Sequence, residues 1–303
     1  MDAAALDAIR IELAPGAAVI MPALLAIVMM SVALNLRLSD FKIIRREPWR
    51  FAGAAALQLL GLPLLTLGLV HLLDPVPSIA LGMIVVACCP GGNVSNFFTH
   101  LAKGDTALSV ALTATSSLFA ALLTPVSILF WTGLYAPADD LVSAIDVDPV
   151  PFVVQTTLML AIPLLIGMGI AHRFPKTAAR IRPGFLMVSI AVLAFLVIGG
   201  LASNWEIFTG TALLVLAIAI LHNAAAFALG NLGARLMGAA DKQRRSVTVE
   251  VGIQNTGLAL VILLSQFDGL GGAAAITGLW SVWHLFAGAG LAAVYRWRGR
   301  AAV

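Results

Sequence analysis

An acid in an apolar run is the first chemistry this sequence offers. Glu250 lies in SVTVEVGIQNTGLALVILLSQF (Ser246–Phe267), a stretch otherwise long and apolar enough to cross a bilayer. An acid near the bilayer centre costs about 2.5–3.5 kcal/mol, so it persists only with a partner. Gln254 follows one helical turn later, then Asn255 and Thr256, between Gly252 and Gly257. A second breaking patch, CCPGGNVSN (Cys88–Asn96), interrupts another apolar run. Pro90 removes a backbone donor and clashes with the preceding turn. Gly91 and Gly92 allow conformations a helix does not use. Ser95 and Asn96 come behind that break, and Ser109 and Thr113 stand four apart on one face of the next helix. Gln58 is a lone amide midway along a further apolar stretch. These are hard oxygen donors, the ligand type an alkali cation accepts. Carbonyls and helix C-terminal ends freed at a break also suit a small cation, and helix N-termini suit an anion.

Plainer readings stand beside this one. A Pro-Gly-Gly kink can serve packing alone, and Ser or Thr in a membrane helix can bond its own backbone. Glu250 follows Arg245 by five residues, about 7–8 Å along a helix, and could reach toward the cytoplasmic interface. His71 and His222 (in LHNAAAF) read as satisfied structural groups. Cys88 and Cys89 are adjacent in an apolar run, which argues against a disulfide framework, and no zinc or redox motif surrounds them. No nucleotide-binding loop, metalloprotease motif or nucleophile elbow is visible, so neither an enzyme nor an ATP-driven pump is expected. The sequon Asn93-Val94-Ser95 falls inside a span, where glycosylation does not reach.

The elements that must position these residues are membrane helices. Of the 303 residues, 60% are hydrophobic and only 11% charged, against roughly 25% charged in a soluble domain. An all-α integral membrane protein is expected, with nine spans at about 17–36, 51–73, 79–102, 106–134, 151–171, 184–202, 209–234, 246–267 and 273–295. Residues 1–16 carry no cleavable signal and read as a peripheral segment; 17–303 form one transmembrane domain. The loops alternate in charge. One side holds Arg37, Lys42, Arg45, Arg46 and Arg50, then Lys103, then Arg173, Lys176, Arg180 and Arg182. Arg235, Lys242, Arg244 and Arg245 follow, with Arg296, Arg298 and Arg300 in the tail, leaving only Arg10 opposite. The positive-inside rule then places the N-terminus outside and the C-terminus in the cytoplasm. Trp131, Trp205 and Trp297 fit an interfacial aromatic belt. In the groups 17–134 and 184–295 the third helix is the broken one, and the groups enter from opposite sides. That is the signature of an inverted-topology repeat.

The segments CCPGGNVSNFFTHLAKGDTALSVALTATSSLFAALLTP (Cys88–Pro125) and EVGIQNTGLAL (Glu250–Leu260) resemble the bile acid:sodium symporter family. LNLRLSDFKIIRREP (Leu34–Pro48) and SVWHLFAGAGLA (Ser281–Ala292) also resemble its members, so the likeness spans nearly the whole chain. The resemblance implies two discontinuous helices that cross, with a panel domain of helices 17–36, 151–171 and 184–202 and a core of about 51–134 and 209–295. It implies two sodium ions. The first would be held by Ser95, Asn96, Ser109, Thr113 and Glu250, and the second by Gln58, Glu250, Gln254 and the carbonyls of Val251 and Ile253. Ile253 replaces a Met common there, which is harmless if only its carbonyl binds. The organic anion would meet Asn93, Asn255 and His284. Asn93 stands where many bacterial relatives have Thr, a difference that bears on substrate choice. Ten-helix members have an extra N-terminal helix that this chain lacks; nine-helix members exist. The implied function is sodium-coupled symport of an organic anion (a bile acid, a steroid sulfate or a small carboxylate such as pantoate) into the cell, across a bacterial inner membrane. Two other readings stay open on sequence: proton coupling with Glu250 as carrier, and an organic-anion sensor that does not transport.

Overall fold

A computed structural model of the chain describes residues 5–11, 17–36, 44–45, 47–203 and 205–301. Arg37, Lys42 and Arg46 of the first basic loop, and residues 1–4 and 12–16 of the N-terminal segment, lie outside the described residues. The order is α1 (Ala5–Ala8), α2 (Ala17–Ala33), α3 (Pro48–Ala56), a π-helical turn (Leu57–Gly61), α4 (Leu62–Leu73), α5 (Pro77–Cys88) and α6 (Asn93–Leu101). There follow α7 (Thr106–Thr132), α8 (Ala136–Ala144), α9 (Pro149–Arg173), α10 (Pro175–Ser203) and α11 (Trp205–Leu236). The last three are α12 (Asp241–Gly252), α13 (Thr256–Gln266) and α14 (Gly271–Ala301). Among the described residues there is no extended strand, only two isolated bridges. Among the described residues, five helical stretches are long and apolar enough to cross a membrane: Pro48–Leu73, Thr106–Thr132, Pro149–Arg173, Ala212–Leu236 and Gly271–Arg298. The chain is therefore a multi-pass membrane protein.

Both expected interruptions are present. Helix α5 stops at Cys88 and α6 starts at Asn93; α12 stops at Gly252 and α13 starts at Thr256. Helix α5 is buried along its whole length from Ser78 to Cys88, and most of α13 is buried too. A helix apolar on every face belongs in an interior. Around α5 pack α14, α4, α7, α8 and α13, and α2 packs on α9, α10 and α13. Helix α14 comes so close to α5 that a side chain at Gly82 would overlap Ile276 and the backbone of Ala273. Small residues allow such approach between membrane helices.

Several expectations are corrected. The basic residues expected in loops 172–183 and 235–245 are largely helical. Only Phe174 separates α9 from α10, so Lys176, Arg180 and Arg182 lie on α10 and Lys242, Arg244 and Arg245 on α12. The helices continue past the apolar runs because their backbones stay hydrogen-bonded in water as well as in lipid. Helix α8 lies in the connection between the spans expected at 106–134 and 151–171. Trp131 is buried against Phe130 and is no lipid-facing anchor, whereas Trp297 is exposed and Trp49 more so. Trp205 has no described side chain.

The first turns of the chain are docked. Asp7 Oδ1 accepts from Ser78 N at 2.8 Å and so caps the start of α5. Ile11 N donates to Gly269 O at 2.8 Å and Gly271 N to Ile9 O at 2.9 Å, which straps this segment across the α13–α14 corner.

Candidate functional site

The two interruptions meet. Asn255 N donates to Pro90 O at 2.8 Å, and Gly91 pairs with Gln254 as an isolated antiparallel bridge. Neither break could be satisfied by lipid, so each supplies the other's backbone partners. A side chain at Gly91 would run into the Glu250 carboxylate and the Gln58 amide. Glycine is needed here for close approach, not for an unusual φ.

Glu250 is 1% exposed, and its carboxylate is held by hydroxyls. Ser95 Oγ and Ser109 Oγ each donate to Oε2 at 2.8 Å. Thr113 Oγ1 donates to Oε1 at 2.5 Å. The Asn96 side-chain amide lies beside them, with Oδ1 2.9 Å from Ser109 Oγ and 3.3 Å from Thr113 Oγ1; each hydroxyl has one hydrogen, so a bond to Asn96 is an alternative to the bond to Glu250. Charge-assisted bonds are each worth roughly 1.5–3 kcal/mol, so three of them match or exceed the insertion cost of the acid. Among the described residues no basic side chain shares the task. The described ion pairs place Arg244 and Arg245 on Asp241, and Arg245 Nη1 donates to Ala102 O. Glu250 thus sits at the break and does not reach the interface.

Beyond the carboxylate lie two side-chain amides. Gln58 Nε2 donates to Glu250 O at 3.4 Å, and Gln254 Nε2 to Val251 O at 2.8 Å. Their carbonyl ends, Gln58 Oε1 and Gln254 Oε1, are buried without a hydrogen-bond partner. Two orphaned acceptors beside a carboxylate are what a cation would satisfy. The donor set is all hard oxygen, which fits an alkali ion. Gln58 lies in the π-helical turn. Pro63, four residues after Leu59, cannot donate to that carbonyl, and the helix widens ahead of it.

Gln58, Ser95, Asn96, Ser109, Thr113, Glu250, Val251 and Gln254 come together. The Ile253 side chain is buried among Phe98 and Val249, and its backbone, which carries the expected carbonyl, lies at the break between Gly252 and Gln254. Asn255 Oδ1 caps α13 through Leu258 N at 3.1 Å, and Asn93 opens α6, so both stand at the meeting point. Asn93 also bonds to the α2 region, accepting from Asn35 Nδ2 and donating to Ser31 O. His284 lies buried on α14, where its Nδ1 pairs with Trp280 O one turn earlier at 2.8 Å and its ring lies 5.0 Å from that of Trp280. Trp280 faces His222, whose Nε2 pairs with Thr66 Oγ1 at 2.8 Å. His71 bonds Leu67 O within its own helix.

Sequence reasoning missed Asn223. It is fully buried, and its Nδ2 donates to Gly252 O at 2.7 Å, holding the C-terminal end of α12 just past Glu250. The signal was an amide in an apolar run, overlooked beside His222. Asn35 was missed for the opposite reason, since it lies in a polar stretch where an amide draws no notice.

A multi-pass helical protein whose interrupted helices meet over a buried carboxylate has the architecture of a secondary transporter. The chain belongs to the Sodium Bile acid symporter family, whose model matches residues 22–222. It is 33% identical over 268 residues to "Uncharacterized sodium-dependent transporter YocS" of Bacillus subtilis (strain 168), covering 88% of this chain and 80% of that one. It is 31% identical to the human "Ileal sodium/bile acid cotransporter", over 80% of this chain and 68% of that one. It is also 31% identical to "Probable sodium/metabolite cotransporter BASS1, chloroplastic" of Oryza sativa subsp. japonica; there the alignment takes in 88% of this chain but only 64% of the plant protein's length. All three relatives are named as transporters or cotransporters.

Proposed function

We propose that this protein is a sodium-coupled symporter that imports an organic anion by alternating access. The observation that carries the reading is Glu250: a buried carboxylate with three hydroxyl donors, no basic partner among the described residues, and two orphaned amide oxygens nearby. In this reading one sodium takes Ser95, Asn96, Ser109, Thr113 and Glu250. A second takes Gln58, Glu250, Gln254 and the carbonyls of Val251 and Ile253. The names of the relatives support sodium as the coupled ion, and the hard-oxygen donor set agrees with it.

Sodium would enter from outside, neutralise Glu250 and fix the meeting point of the breaks. That order completes an anion site at the N-terminal ends of α6 and α13, where the helix dipoles favour negative charge. Asn93, Asn255 and His284 would contact the anion, a bile acid, steroid sulfate or small carboxylate such as pantoate. The panel (α2, α9, α10) would then rock against a core of the remaining long helices. We further propose nine spans in an inverted repeat, with the N-terminus outside and the C-terminus cytoplasmic, in a bacterial cell membrane. The charge alternation and the matching places of the two breaks support this.

Uptake into proteoliposomes tests the function. A sodium gradient at fixed pH is expected to drive accumulation of taurocholate or pantoate, and Glu250→Ala to abolish it while the protein stays monodisperse and folded. Accumulation driven only by a pH gradient would make protons the coupled ion. Binding without accumulation would make the protein a sensor.

A further inference from the structure

Helix α2 lies with α9 and α10, and Ser189 Oγ of α10 reaches Ile27 O of α2. Among the described residues, hydrogen bonds from these three helices and their flanks to the rest of the molecule are few. One is a long contact from Gln266 Nε2 to Met159 Sδ at 4.0 Å. The others both belong to Asn93: Asn35 Nδ2 donates to its Oδ1 at 3.1 Å, and its Nδ2 donates to Ser31 O at 3.1 Å. The orientation of this amide is set by chemistry. Ser31 O can only accept, so the nitrogen of Asn93 faces it and the oxygen is left for Asn35, which must donate.

The amide that opens α6 is therefore held from the side of α2. Ser31 O takes one of the two hydrogens of Asn93 Nδ2 and Asn93 Oδ1 one of the two of Asn35 Nδ2, so each nitrogen keeps a single N–H for an anion, and α2 cannot leave the break while both bonds stand. On the symport reading above, we infer that Asn35 is a specificity-determining residue of the transport site. Its Nδ2 and that of Asn93 form a pair of amide donors that the acid group of an organic anion takes over as α2 moves. A carboxylate or sulfonate has at least two acceptor oxygens and can bridge two N–H donors, which a neutral hydroxyl does less well. The class selected is thus an anion whose acid group reaches the α2 side of the break.

The test compares wild type with Asn35→Ala and Asn35→Asp in proteoliposomes, using taurocholate and pantoate as probes. Asn35→Ala removes the Nδ2 donors. Asn35→Asp also removes both donors of the side chain, faces Asn93 Oδ1 with a second acceptor, and sets a negative charge against the anion. The expected result is a several-fold rise in anion KM for Asn35→Ala and a rise of more than about tenfold for Asn35→Asp, the size of one lost charge-assisted bond. The sodium-induced thermal shift, measured without anion, should not move in either variant. A merely structural latch would change the maximal rate or the melting temperature and leave the alanine and aspartate variants alike in KM. KM values within twofold of wild type in both variants, or a lost sodium shift, would overturn the inference. Failure of wild type to accumulate either probe under a sodium gradient would instead overturn the symport reading.

Discussion

At the scale of single residues, the problem posed by Glu250 is solved by hydroxyls drawn from two other helices. Ser95 comes from α6 and Ser109 and Thr113 from α7, and all three donate to one carboxylate. Hydroxyl donors hold a carboxylate while each oxygen keeps lone pairs for a cation, which a salt bridge to Arg or Lys would not allow. Gly91 matters in the same place because its missing side chain is the space the carboxylate occupies. Gly91→Ala is expected to abolish sodium-dependent uptake, as Glu250→Ala does, while leaving a helical, monodisperse protein. Circular dichroism and uptake on the same preparation would check this, and wild-type uptake by the alanine variant would show that the breaks do not close as described. Glu250, Ser95, Asn96, Ser109, Thr113, Gln58 and Gln254 were all legible as a group, because polar atoms in a membrane run are few. Asn223 and Asn35 were not, since their importance lies in which carbonyl or amide they meet.

At the scale of elements, the breaks were readable from Pro90, the glycines beside it and the polar run after Glu250. The π-helical turn at Leu57–Gly61 was not, although Pro63 foreshadows it. Helix α8 was also missed, and it anchors a polar contact outside the spans: Tyr135, its N-cap residue, donates from its phenol to Asp74 Oδ1 at 3.0 Å. Burial, then the bond to Asp74 and the charge of that carboxylate, push the Tyr135 phenol up to about 12. The neutral phenol is the form the fold favours. Its contribution to stability is therefore complete below the ordinary tyrosine value of about 10 and fades as the pH rises from there toward 12. Tyr135→Phe is expected to lower the melting temperature near neutral pH, with the gap to wild type narrowing at about pH 11. A gap that stays constant across that range would show that the phenol makes no such contribution.

At the scale of the whole molecule, the fold places two half-helix ends and two orphaned amide oxygens at one buried junction. An ion bound there and an anion bound at the helix N-termini would share the same backbone order. Coupling free energy is reciprocal, so sodium is expected to raise anion affinity by the factor by which the anion raises sodium affinity. Calorimetric titration of each, with and without the other, measures both factors. Equal anion affinity in sodium and in a potassium control would sink the coupling.

Composition and local residue pattern alone determined that this chain lives in a membrane and where two of its helices break. Those properties are local: each follows from the run of residues that carries it, with lipid as solvent. Which polar groups share a site was decided only by the tertiary structure. Glu250 is 137 residues from Thr113 and 192 from Gln58. No periodicity relates such positions; the packing of α12 on α6, α7 and the π-helical turn does. The same holds for Asn35 and Asn93, unremarkable apart and a single amide pair once α2 is laid beside the break.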